Sequence, residues 1–242
     1  MLKFSTLKTS LSLLFGLLFF NIFAAENEPS VKNKKLKIGI NISPDIAFRQ
    51  ISLNDNQYGI YLKEEKDRID RPKASYSVGL NVCYDFKSWL GAEIGVQYAS
   101  RGYNRSIQEL VYEDMTIVKV RGSEDFHYVD IPMKVNFTLG KSKVRFFSSV
   151  GIAPNFLIKY EIKSTLFDED KTYKTRHNYT SKMNRINVSP LVSVGIDWKV
   201  NSKMNLRVEP TFRYGLINTF NGTYNEHLYS AGINVSYYFG VK

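Results

Sequence analysis

The chain has 242 residues, 33 Lys and Arg against 23 Asp and Glu, and a formal charge of +10. One cysteine, Cys83, excludes an internal disulfide and any Cys-built metal site, and the length fits a single all-β domain. A basic balance is compatible with nucleic acid, but the amino terminus points elsewhere.

Lys3 and Lys8 precede an apolar run from Leu11 to Phe23, then Ala24-Ala25 and Glu26. Charge, a short hydrophobic stretch and small residues in that order read as a cleaved secretory signal over residues 1–24. The run is shorter than the ~20 apolar residues of a spanning helix. No cysteine follows the cut, so no lipoprotein anchor is expected, and an exported chain is not expected to meet nucleic acid. Without Lys3 and Lys8 the formal charge is +8; acidic lipid headgroups and lipopolysaccharide are the expected counterpart. Residues 25–35 read as a periplasmic lead-in and 36–242 as the barrel domain.

From Leu36 onward the sequence alternates. In Ser75–Phe86, Tyr76, Val78, Leu80, Val82, Tyr84 and Phe86 interleave with Ser75, Ser77, Gly79, Asn81, Cys83 and Asp85. Leu36–Phe48, Leu90–Tyr98, Val129–Leu139, Val144–Tyr160, Ile186–Trp198, Leu206–Leu216 and Tyr229–Phe239 do the same. Period two with one apolar face is the strand signal. Charged residues are 23% of the chain, yet none stands on the apolar face of these eight segments. No second apolar stretch of helical length exists, so a membrane-spanning form must be a closed barrel.

A soluble sandwich alternates in the same way. Two features separate the architectures. The links run long and short in turn: Gln50–Ala74, Lys87–Trp89, Arg101–Glu124, Gly140–Lys143, Glu161–Lys182, Val200–Met204 and Ile217–Leu228. Long loops on one side and tight turns on the other belong to outer-membrane barrels. Aromatic residues also gather at both ends: Phe86, Trp89, Phe137, Phe146, Trp198 and Phe239 at the short turns, and Phe48, Tyr76, Tyr98, Phe156, Tyr160, Tyr214 and Tyr229 at the long loops. The fold expected is an all-β, eight-stranded antiparallel up-and-down transmembrane barrel with both termini in the periplasm. Pro44, Pro132, Pro154, Pro190 and Pro210 fall inside strands, where bulges and a slip of facing are expected.

The stretch Tyr128-Val129-Asp130-Ile131-Pro132, followed by a strand, a tight turn and a strand carrying Gly151, resembles the PorT-like outer-membrane β-barrel family. Ser77–Tyr103, closing on Gly102-Tyr103, and the final Tyr237-Tyr238-Phe239 are similar to it as well. The resemblance implies an eight-stranded barrel of OmpA/OmpX size and little about activity, because that family is functionally diverse.

Chemistry is sparse. His127, His177 and His227 all fall on the long-loop side, but no ligand spacing or nucleophile motif accompanies them. No catalytic, cofactor or metal site is expected. The inward charges say more. Glu93, Lys134, Arg207 and Glu209 cluster toward the short turns, and Lys37, Asp45, Asp85, Asp130, Arg145, Asp197 and Arg213 join them in near-balance. A lumen of eight strands is just filled by side chains, so the four are expected to form a paired structural charge network plugging the barrel. A narrow pore would be lined by one dominant sign. The third loop is basic, with Lys159, Lys163, Lys171, Lys174, Arg176, Lys182 and Arg185 against Glu161, Asp168, Glu169 and Asp170. The second reads as a hairpin around Glu113-Asp114. The function expected is a structural or interaction protein whose loops meet outer-membrane lipid, lipopolysaccharide, surfaces or an envelope protein partner; a narrow pore and a rim enzyme are the rivals.

Overall fold

The computed structural model describes residues 36–53, 57–111, 117–168, 171–220, 222 and 224–241. The expected signal and lead-in, and the tip of the second loop at Tyr112 to Thr116, lie outside them. The chain runs as β1 (Leu36–Leu53), α1 (Gln57–Ile69), β2 (Asp70–Asp85), β3 (Leu90–Val111), β4 (Ile117–Asp130), β5 (Met133–Leu139), β6 (Val144–Asp168), β7 (Lys171–Asn178), β8 (Ile186–Lys199), β9 (Met204–Tyr214) and β10 (Tyr224–Gly240), with one 3-10 turn at Thr180–Lys182.

All pairings are antiparallel. β1 pairs with β2 and β10, β2 with β3, β3 with β4 and β5, both of these with β6, β6 with β8, β8 with β9, and β9 with β10. The ring closes. β4 and β5 are one stave interrupted at Ile131-Pro132, because Tyr98↔Val129 and Ile94↔Met133 keep one register across the break. β7 pairs only with β6. Eight staves therefore form the wall, as the alternation predicts.

The facing follows the pattern. Ile38, Ile40, Ile42 and Ile46 on β1 point outward and are half exposed, whereas Asn41, Ser43 and Asp45 between them are buried. A soluble protein does not expose such a belt; lipid covers it. Phe86, Phe146, Trp198 and Phe239 ring one end of the outer wall, and Tyr76, Phe156 and Phe212 stand exposed at the other. Inside, the wall closes tightly: a Cβ on Gly39 would meet the Tyr238 ring at 2.7 Å.

Two expectations need correction. The prolines do not shift the register: Pro154 pairs in line with Val188, Pro190 with Ile152 and Pro210 with Ile233, and Ile42↔Val235 and Asp45↔Gly232 bracket Pro44 in one frame. Each proline forfeits one donor without adding a residue. At Pro132 the ladder is patched by Gly95 N donating to the Pro132 carbonyl and Ile131 N to that of Pro154, both at 2.9 Å. Slips occur elsewhere: between Pro72 and Tyr76 on β2, between Arg105 and Gln108 on β3, and between His127↔Lys159 and Tyr128↔Leu157, which leaves Ile158 as the extra residue. Beyond it Tyr160 turns from the lipid face to the interior, where it is 3% exposed. It is not part of the outer aromatic ring. The first long loop carries α1, tied by Lys63 to Asp67 at 2.8 Å, four residues apart.

β3 has 22 residues and β6 has 25, against the ~9–11 that cross a bilayer. Their upper halves pair with β4 and β7 into an antiparallel sheet standing above the membrane. The second-loop hairpin expected from the sequence is its β3–β4 arm, with Val111 opposite Ile117.

Depth should decide the cost of charge on the wall. Leu80→Lys, at the centre of the exposed face of β2, should lower unfolding free energy in vesicles by ~2–4 kcal/mol. Gln50→Lys, outward and exposed above the aromatic ring, should be within ~1 kcal/mol of the parent. Urea titration of the folded and unfolded bands measures both, and equal costs would contradict the placement of the belt.

Candidate functional site

The inward residues of the lower staves converge. Lys134 Nζ, on β5, lies 2.7 Å from Glu93 on β3 and 3.1 Å from Glu209 on β9. Arg207 Nη1 donates to Glu93 at 2.8 Å, and its guanidinium sits over the Phe147 ring at 3.7 Å and the Tyr238 ring at 4.7 Å. Glu209 also accepts from Ser193 at 2.5 Å and from Asn234 at 2.8 Å; Asn136 donates to Glu93 at 3.0 Å. All four charged residues are 8% exposed or less at the side chain. Arg207 and Glu209, adjacent inward positions on one strand, reach different partners across the lumen.

The remaining inward charges pair around this centre. Lys37 meets Asp85 at 2.6 Å, Arg213 meets Asp45 at 3.3 Å, and Arg145 pairs with Asp197. Asp130 is held by Arg101, which the sequence assigns to a loop. Carrying the inward phase of β3 past Tyr98 reaches Arg101, Tyr103 and Arg105 in turn, so the signal was present. It was lost because above the membrane both faces are polar and alternation no longer stands out. Two pockets of about 10 Å³ remain among these side chains, each about the space of one water.

Above the charges lies an aromatic layer of Tyr103, Phe126, Tyr128 and Tyr160, with Phe126 and Tyr160 centroids 4.5 Å apart. A second polar set caps it. Arg49 joins β1 to Asp70 at 2.7 Å and to Asp67 of α1 at 3.0 Å. Glu124 accepts from Tyr160 Oη at 2.6 Å and pairs with Arg105. Glu226 accepts from Tyr103 Oη at 3.1 Å and Thr219 Oγ1 at 3.0 Å. Lys66 of α1 reaches over the Tyr103 and Tyr224 rings at 5.9 and 5.3 Å.

The histidines do not meet. His127 on β4 contacts Tyr98 Oη at 2.5 Å, His177 lies on β7, and His227 on β10 contacts the Gly215 carbonyl at 3.0 Å. No group of three or more metal-binding side chains forms among the described residues.

With the closed ring, lipid-facing belt and polar interior in place, the sequence profile of the outer membrane protein beta-barrel domain family matches residues 23–221. The chain belongs to that family. It is an outer-membrane protein. No protein of curated function matches it in sequence. Among solved structures it is similar to Neisserial surface protein A, at 11% identity over 86% of this chain and 97% of that one, TM-score 0.43. It is also similar to Ail, the attachment invasion locus protein of Yersinia pestis, in complex with the heparin analogue sucrose octasulfate, at 9% identity over 85% and 99%, TM-score 0.38. OprG of Pseudomonas aeruginosa matches at 12% over 86% and 98%, TM-score 0.37.

Two measurements probe the interior. Glu209→Ala should cost ~3–5 kcal/mol, because a buried ion pair loses one member. Lys134→Ala with Glu209→Ala should cost less than the two singles together by ~0.5–3 kcal/mol; Arg207→Ala with Glu209→Ala, whose partners differ, should be closer to additive. Coupling of the opposite order in chemical unfolding would mean the lumen pairs differently.

The second concerns Glu226, three residues before Tyr229 on β10 and outside the membrane-spanning part. Burial and the Glu124 carboxylate push its pKa up to about 7, against the pull of Lys66, Thr219 and Tyr103. A carboxyl raised in the fold stabilises it fully below its unfolded value near 4.5, and that contribution fades as pH rises toward 7. The difference is about 3 kcal/mol. Stability should fall across that window in the parent and stay flatter in Glu226→Gln, read from urea midpoints at stepped pH.

Proposed function

We propose that this protein is a sealed outer-membrane barrel, PorT-like in kind, that works as a structural and interaction scaffold. Residues 1–24 direct its export, 25–35 lead in from the periplasm, and the barrel domain carries an extracellular sheet to its ligands. One observation carries this reading: the inward charges are paired across the lumen, leaving pockets the size of single waters. A pore needs a continuous wet path and gains from one sign of charge. Here the opposite signs neutralise each other and the path is filled.

The network of Glu93, Lys134, Arg207 and Glu209 is then a plug and not a site of chemistry. Its role is to pair the charges of a polar interior without a continuous path of water. What varies is outside: β3, β4, β6 and β7 rise well past the lipid and hold side chains on a rigid sheet, where loops alone would move.

Purified protein in planar bilayers should give no steady conductance, while Glu209→Ala should give small flickering steps as water enters beside Lys134. Large steady conductance from the parent would remove the sealed reading and make the barrel a channel.

A further inference from the structure

Cations are concentrated on one face of the extracellular sheet, where Glu109 lies 3.9 Å from Lys119 among them; the other face holds Arg105 with Glu124, and Lys171 opposite Asp168. Directly opposed residues share a face, so Ser123↔Lys163↔Arg176 and Arg121↔Thr165↔Lys174 stack as successive rows, with Lys119 in the next. Below them Lys73 and Lys163 meet Asp125, and Lys159 meets Glu161 at 2.6 Å with Arg176 at 3.7 Å. Asp125 and Glu161 are buried, their side chains 4% and 5% exposed, whereas Lys159, Lys163 and Arg176 are 43%, 38% and 59% exposed. Four cations thus surround two carboxylates, and the excess faces outward.

This face continues the lipid-facing wall. Asp125 and His127 follow Val129 upward in the same phase, and His127 rests on Tyr98, which neighbours the exposed Tyr76 of the upper aromatic ring. The basic rows therefore look sideways over the outer leaflet. The wall across the ring is different: above its aromatic residues β1 and β10 present Gln50, Ser52, Asn225 and His227, and Lys63 of α1 is matched by Asp67. General attraction to an anionic leaflet would not need such a one-sided arrangement. The rows are about 7 Å apart along the strands, so from Lys159 to Lys119, four rows away, they reach about 27 Å, beyond any single phosphate at the bilayer surface.

We infer that this face is a binding site for one outer-leaflet lipid whose saccharide headgroup carries several phosphates, with its acyl chains against the aromatic wall below. The lower cations, Lys73, Lys159, Lys163 and Arg176, take the phosphates next to the acyl chains, and Arg121, Lys174 and Lys119 take anionic groups farther out on the headgroup. Asp125 and Glu161 hold the lower ammonium and guanidinium groups in place beforehand, so less side-chain freedom is lost on binding. The inference rests on the scaffold reading above and gives that scaffold its ligand.

Native mass spectrometry of the detergent-solubilised protein, titrated with defined lipids, tests it. Bisphosphorylated lipid A should be retained as one molecule per chain, and the same lipid bearing a phosphorylated core oligosaccharide should bind more tightly. Dephosphorylated lipid A should bind at least about tenfold more weakly, as should the parent lipid to Lys163→Gln with Arg176→Gln, since charge-assisted contacts of this type are lost. Arg121→Gln with Lys174→Gln should weaken only the core-bearing form. Lys87→Gln, at the opposite end of the barrel, should change nothing, and retained heat-modifiable mobility shows that each variant is folded. Equal affinity for the dephosphorylated lipid, or for the variants, overturns the inference. So does equally tight binding of the deacylated phospho-oligosaccharide or full competition by inorganic phosphate, which would mean a site for soluble anions. None of these outcomes alters conductance, so the site can fail while the sealed barrel stands.

Discussion

The pairing of β1 with β10 is the constraint from which the rest follows. In lipid an unpaired backbone donor or acceptor costs several kcal/mol, so the first and last staves must meet along their whole shared length. They do from Lys37↔Gly240 to Leu53↔Tyr224, save at Ser43-Pro44, where the ladder is interrupted without a change of register. Closing eight staves fixes a lumen only wide enough for side chains. Since the outward positions must be apolar, the inward ones carry the polar half of every strand, and their charged groups have to find partners across the lumen. Glu93 bridging Lys134 and Arg207, and Arg207 flattened between Phe147 and Tyr238, are consequences of that closure. Their arrangement is more demanding than that of a hydrophobic core, because each cation needs a carboxylate at a matching height on another stave.

Within the membrane the sequence was nearly transparent. Lipid imposes a strong contrast between faces, so Ile38, Ile40 and Ile42 against Gly39, Asn41 and Ser43 could be read directly, and with them the eight staves and the inward set around Glu93. Above the membrane the contrast disappears. Arg101, Glu124 and Glu226 are as much part of the interior as Asp130, yet they are flanked by polar residues facing water, and period two carries no hydrophobic signal there. The slip at Ile158 was equally hidden. A bulge adds one residue without a sequence mark, and it moved Tyr160 from the wall to a bond with Glu124. The prolines misled in the other direction: they are conspicuous as residues but, where the neighbouring strand loses only one donor, the register passes through unchanged. α1 escaped because its helix is short and mostly polar, and what fixes it is contact, Arg49 with Asp67 and Lys66 over Tyr103.

Charge is therefore sorted by compartment. Inside, cations and carboxylates match, and the chain's excess of Lys and Arg over Asp and Glu must lie outside the lumen. It is not spread evenly: β4, β6 and β7 carry Lys119, Arg121, Lys159, Lys163, Lys174 and Arg176 on one face, and the opposite wall is close to neutral. Bulk charge of this size would give solubility and loose attraction to an anionic leaflet. A rigid sheet that aligns the same charges in rows gives geometry as well, which is what a headgroup with fixed phosphate spacing can select.

The two halves share a backbone but few side chains. The plug is built from inward residues below the aromatic layer of Tyr103, Phe126, Tyr128 and Tyr160, and the basic rows from outward residues above it. That layer is hydrophobic in its rings, and the Tyr103 and Tyr160 hydroxyls turn upward to Glu226 and Glu124. A change of charge on the outer rows is screened by solvent and separated by those rings from Lys134 and Glu209, so it perturbs the plug little. The reverse does not hold. The rows are stacked in register only because β3, β4 and β6 leave the membrane as continuous strands, and their register is set by the packed lumen beneath. The outer face can be altered without cost to the barrel, but its geometry cannot outlast a disordered plug.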